Sequence, residues 1–326
     1  MDVTQIATDT FEERRIFCAE RLGELRRRVA EIPELNSSSS GLCIYATGSY
    51  GRQEASGYSD LDLFFVHNDQ PVSNINKTLI DAALIKATRE MGFVDFSGDG
   101  EYLQVHNVKE ILDNLGNRED DYRNFFTARM LLLLESTPIY NDSVYMESIE
   151  RVVDAYYRDY HDHEKDFRPV FLVNDIIRFW KTLCLNYEHS RNRKDVAKKS
   201  ASHLKNLKLK FSRMLTCFST LLLLARHNEQ LAPDRLVELV GIPPLDRLRE
   251  SAYGLPGGES SLSRLLDEYA WFLQVTNRPK DELLQWIADQ SVRDEAFDHA
   301  RMFGREMYDL LFKIDREGDL IRYLVV

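Results

Sequence analysis

Apolar positions along the chain fall into two regimes. From residue 9 to 33, Phe11, Ile16, Leu22, Leu25 and Val29 recur at helical spacing among Glu and Arg, which predicts one amphipathic helix closed by Pro33. A serine run ending at Gly41 reads as a loop. LCIYAT (42–47) is short, β-branched and aromatic, and predicts a buried strand. In DLDLFFV (60–66), Asp60, Asp62 and Phe64 alternate with Leu61, Leu63 and Phe65, which predicts a second strand. A helical pattern over about 74–91, a Gly-punctuated turn at 97–100 and a third strand, EYLQVHNV (101–108), complete this regime.

Past residue 109 the strand signals fade. Stretches 109–115, 120–135, 143–160, 168–188, 198–227, 233–239, 260–275, 279–290 and 292–316 all carry helical periodicity, with Gly and Pro clusters at 241–244 and 254–258 between some of them. The expected fold is therefore an α+β domain over 1–140, a small mixed sheet flanked by helices, followed by an all-helical domain over 141–326. A chain of 326 residues accommodates about two domains.

Composition changes the picture only by exclusion. The chain is 44% hydrophobic and 29% charged, too apolar for a disordered segment. Lys+Arg minus Asp+Glu is 42 − 53 = −11, which weighs against long nucleic acid as a partner. The longest apolar stretch, 214–225, falls short of the roughly 20 residues that span a bilayer. The first residues are acidic and polar, unlike a signal peptide, so a cytoplasmic protein with no membrane partner is expected. Cys18, Cys43, Cys184 and Cys217 lie far apart, which argues against a disulfide framework or a zinc knuckle.

The chemistry concentrates in ATGSYGRQEASGYSDLDLFFV (46–66). On a strand, Asp60 and Asp62 share a face while Leu61 and Leu63 enter the core. Two adjacent carboxylates repel, and a divalent cation relieves that repulsion. An all-oxygen donor set suits Mg²⁺ or Mn²⁺ rather than zinc. Gly48 and Ser49, at a strand-to-helix turn, let a phosphate approach the backbone closely, and Arg52 is a candidate phosphate partner.

Gly48-Ser49-Tyr50-Gly51-Arg52-x-Glu54 and Ser59-Asp60-Leu61-Asp62-Leu63 resemble the signature of the DNA polymerase β-type nucleotidyltransferase superfamily. They are nearer to the branch that contains the PII-protein uridylyltransferases and related bacterial nucleotidyltransferases. The specific match covers 46–66, and FTARMLLLLESTPIYND (126–142) resembles a helix and turn of that branch more loosely. The resemblance implies Asp60 and Asp62 on the metal and Gly48-Ser49 on a triphosphate. It also implies a third carboxylate on a neighbouring strand, for which Glu101 is the first candidate and Asp99 the alternative, with Asp95 read as a loop residue.

Weaker signals lie further on. Asn174, Arg178 and Lys181 share a face of the 167–188 helix, read either as directed at nucleotide phosphates or as solvated. The basic run 191–213 supplies Lys208 as a further nucleotide-binding candidate, against the reading of a solvated face. His161 and His163 read as surface residues, His106 as structural, and Trp180, Trp271 and Trp286 as packing residues.

The expected activity is transfer of an NMP from an NTP, ATP among the candidates, to a hydroxyl of a protein or small-molecule acceptor, with release of pyrophosphate. The catalytic residues would be Asp60, Asp62 and Glu101. The alternative is a non-catalytic nucleotide-binding regulatory or interaction module that keeps the same fold.

Overall fold

The computed structural model describes residues 3–38, 41–68, 71–94, 96, 103–191, 196–227, 231–318, 320 and 322. The chain divides by its internal contacts into two units. One, the sheet unit, comprises Arg14–Asp162 and Ala232–Pro243. The helical unit comprises Met1–Glu13, His163–Leu231 and Pro244–Val326.

Four strands build the sheet unit: β1 (Leu42–Thr47), β2 (Asp62–His67), β3 (Val105–Asn107) and β4 (Thr137–Tyr140), in the order β3-β2-β1-β4. β1 runs antiparallel to β2 and β4, while β2 and β3 are parallel, so the sheet is mixed as expected. Leu42, Ile44 and Ala46 of β1 join Leu63 and Phe65 of β2 in a core with Leu22, Leu25 and Val29 of α1 (Val3–Ala30). Ile80 and Leu84 of α4 (Asn74–Glu90) close that core. Each such side chain contributes roughly 1.5–3 kcal/mol on burial. Alternation puts Cys43, Tyr45 and Thr47 on the opposite face, where Tyr45 lies 5.9 Å from Phe64 and 6.2 Å from Tyr145 of α8 (Asp142–Tyr156). With both faces covered, β1 is buried throughout, which explains why its sequence lacks a polar alternation.

A buried ion pair braces the unit. Arg129 on α7 (Phe125–Leu134) donates to both oxygens of Asp120 on α6 (Arg118–Tyr122) at 2.8 Å, and its Nε donates to the Tyr156 hydroxyl at 2.8 Å. Neither Arg129 nor Asp120 is exposed to solvent. Burial opposes the guanidinium charge, yet Asp120 and Tyr156 hold its pKa above the ordinary arginine value.

Helices α9 (Val170–Arg191), α10 (Val196–Lys208), α11 (Met214–Arg226), α13 (Pro244–Ala252), α14 (Gly258–Val275), α15 (Lys280–Ala288) and α16 (Gln290–Ile314) belong to the helical unit. A π-helical turn, Leu209–Arg213, joins α10 to α11, and there Ser212 Oγ donates back to the Lys208 carbonyl. From this turn Phe211 enters an aromatic core, 4.7 Å from Phe272 and 5.0 Å from Phe303, with Tyr269 5.7 Å from both. Trp180 packs edge-on against Phe218 at 5.6 Å, and Trp271 lies 6.1 Å from Phe211. No helix among the described residues is long and apolar enough to cross a membrane.

Four expectations need correction. The first helix ends at Ala30 rather than at Pro33, which instead opens the short α2 (Pro33–Ser38), as a proline at a first helical position can. β2 begins at Asp62, because its partner β1 turns away at Gly48 and leaves Asp60 and Leu61 with no ladder to join. β4 and α13 were not expected at all. The division between units falls after Asp162 rather than at 140, since α8 packs on β1 and α12 (Pro233–Val240) packs on α8.

Candidate functional site

β1 ends at Thr47, and the chain turns there into α3, the single helical turn Gly48–Gly51. Gly48 has φ +64°, a left-handed conformation that glycine adopts without a steric penalty. A Cβ on Gly48 would lie 2.9 Å from Oδ2 of Asp62. The reason is register: Asp62 is the first residue of β2 and pairs opposite Thr47, so its carboxylate comes to rest against the turn. The bend and the acid predicted to cooperate thus lie side by side, with no room for a side chain at Gly48.

Burial alternates through 60–63. Asp60 is exposed, Leu61 buried, Asp62 half-buried and Leu63 buried, and both leucines belong to the core beneath the sheet. Both acids therefore stay outside that core. Asp60 is placed by a loop rather than by a strand: Ser56 and Ser59 bond across Gly57-Tyr58, with Ser56 N–H to Ser59 Oγ at 2.9 Å and Ser59 N–H to the Ser56 carbonyl at 3.0 Å. Ser49, half-buried, follows Gly48, and its carbonyl accepts the Glu54 N–H at 2.9 Å.

Arg52 takes a role other than the expected one. Its guanidinium is buried, with Nε donating to Glu54 Oε1 at 2.6 Å and Nη1 to Glu135 Oε2 at 2.5 Å. It is committed to carboxylates and does not present itself to a phosphate. Gly51 is closely packed, since a Cβ there would lie 2.0 Å from the Glu135 carbonyl oxygen and 2.8 Å from that of Ala46. Glu135 is the residue the sequence reading missed; its only signal was a lone acid closing the apolar run of α7.

The donors present, Asp62 against a side-chain-free bend and Asp60 two residues before it, are hard oxygens of the kind Mg²⁺ or Mn²⁺ takes. Among the described residues no group of three His, Cys, Asp or Glu side chains is assembled for a metal. The candidates for the third carboxylate, Glu101 and Asp99, lie outside the described residues, as does Asp95.

Arg178, Lys181 and Lys208 all belong to the helical unit. Arg178 on α9 is half-buried, with Nη1 3.5 Å from the buried carboxylate of Asp175. Lys181 on α9 and Lys208 on α10 are exposed. His161 and His163 are exposed. His106 is buried on β3 against Phe125, and burial pushes its pKa down to about 4. Comparison of the chain with protein-family models and with curated proteins finds no match to either.

Proposed function

We propose that this chain is an Mg²⁺- or Mn²⁺-dependent nucleotidyltransferase of the DNA polymerase β type. It would move an NMP from an NTP to a hydroxyl of a protein or small-molecule acceptor. The acceptor hydroxyl gives its proton to a carboxylate base, its oxygen bonds to the α-phosphorus, the bond from that phosphorus to the β-phosphate oxygen breaks, and pyrophosphate leaves. The observation that supports this reading is the place of the Asp62 carboxylate beside the left-handed, side-chain-free Gly48 turn, which gives a phosphate oxygen and an ion one shared approach. Asp60 and Asp62 would hold the ion, whose contribution when bound is to neutralise the triphosphate. Gly48 and Ser49 would seat phosphate oxygens, and the third carboxylate that the resemblance implies would be Glu101 or, as the alternative, Asp99. None of the four cysteines is in a disulfide, which suits a reducing compartment such as the cytoplasm.

The test is calorimetry with Mg²⁺ and each of ATP, GTP, CTP and UTP, paired with a pyrophosphate-release assay in the presence of a cell extract as acceptor pool. Wild type is expected to bind at least one NTP only with Mg²⁺ and to release pyrophosphate, and Asp62→Asn to lose both. Equal turnover in Asp62→Asn, or no NTP bound by folded wild type, would overturn the assignment. Mg²⁺-dependent binding without pyrophosphate release would instead identify the non-catalytic module.

A further inference from the structure

The turn at Gly48 is held from behind by the segment that follows it. Arg52 returns its backbone N–H to the Gly48 carbonyl at 3.0 Å, and Gln53 returns its own to Tyr50 at 3.1 Å. Gln53 has φ +60°, a strained conformation for a residue with a side chain, and it separates two residues whose side chains meet, Arg52 and Glu54. Glu135 joins Arg52 from the end of α7, 83 residues along the chain, and is fully buried. Thr137 Oγ1 donates to the Gly51 carbonyl at 3.1 Å, and Cys18 Sγ on α1 accepts the Ala55 N–H at 3.1 Å. The segment 51–55 is thus tied to α1, to the end of α7 and to β4.

Stability alone is a poor reason for this arrangement. A buried ionic cluster can commonly be replaced by apolar side chains of similar volume with no loss of stability. What such replacement does not reproduce is a single fixed geometry. We propose that Arg52, Glu54 and Glu135 are positioning residues, a buried clasp that fixes the Gly48–Ser49 turn against Asp62 so that a polyphosphate meets both at once. This rests on the nucleotidyltransferase reading for its ligand, but not for its mechanics.

The experiment replaces the clasp by an apolar one, Arg52→Met with Glu54→Leu and Glu135→Leu, and compares the full chain with wild type. Melting temperature, calorimetric affinity for Mg²⁺ with each of the four NTPs, and hydrogen exchange at the amides of 52–54 are measured. The expected result is a near-native melting temperature, faster exchange at those amides, and affinity weakened about ten- to a hundredfold, the usual cost of losing an outer-shell partner. Wild-type affinity in the triple variant would overturn the proposal. If wild type binds no NTP, the nucleotidyltransferase reading fails separately and the exchange data decide: unchanged protection at 52–54 overturns the clasp, and faster exchange at an unchanged melting temperature supports it. Should the triple variant not fold, Glu135→Gln, which keeps the volume and removes the charge, carries the same measurements.

Discussion

Gly48 and Gly51 stand three residues apart in one turn, yet replacing each by alanine should have opposite consequences. At Gly48 the new methyl forces a left-handed residue, which costs about 1–2 kcal/mol. The methyl also lies 2.9 Å from Asp62 Oδ2, but that oxygen is the end of a side chain that can swing away. Gly48→Ala should therefore fold with a modest loss of stability while displacing Asp62, one of the two carboxylates proposed to hold the ion. At Gly51 the methyl would meet the Glu135 carbonyl oxygen at 2.0 Å and that of Ala46 at 2.8 Å, and neither backbone can move without separating β1 from β4. Gly51→Ala should cost ~3 kcal/mol or more, at the upper end of overpacking. Urea unfolding gives both stabilities, and calorimetry with Mg²⁺ and NTP gives the affinity. The reasoning fails if Gly48→Ala binds like wild type, or if it is destabilised as much as Gly51→Ala.

Asp120→Ala leaves the Arg129 guanidinium buried without its bidentate partner and should cost about 3–5 kcal/mol in urea unfolding, and a loss under 1 kcal/mol would contradict the geometry. His106 is neutral in the fold because burial lowers its pKa from 6.5 to about 4, whereas the unfolded chain takes up a proton at the ordinary value. Stability conferred by the neutral ring is therefore present above about pH 6.5 and lost as pH falls toward 4, by up to about 3 kcal/mol. His106→Gln should flatten the slope of unfolding free energy between pH 7 and 4.5, and a slope equal to wild type would reject the assignment.

The parts of the fold legible in the sequence are those whose pattern is set locally. β1 matched its six predicted residues, and α4, α8, α14 and α16 fell within a few residues of their periodic stretches. β4 was hidden because TPIY is four residues with a proline inside, which is tolerated only because the strand lies at the edge of the sheet. α13 was hidden because Pro244 read as a separator, whereas it is the first residue of the helix. For the candidate site, Gly48 and Asp62 were legible as a pair, since one tight turn and one strand register bring them together. Arg52 was not, because its sequence neighbours cannot reveal that Glu135 waits 83 positions away. A guanidinium facing a phosphate and one facing a buried carboxylate look identical in a linear string.

The sheet unit is written in two pieces of chain and the helical unit in three, with α1 itself changing allegiance between Glu13 and Arg14. No single cut can release either unit intact. A break after Asp162 would strip α12 from the sheet unit and orphan the first thirteen residues from the helical one. During synthesis, the last segment of the sheet unit leaves the ribosome only after residues 163–231 have emerged, so that unit is completed with part of the helical unit already made. Such a chain resists being shuffled as separable modules by recombination, and its halves should be inherited, expressed and engineered as one piece.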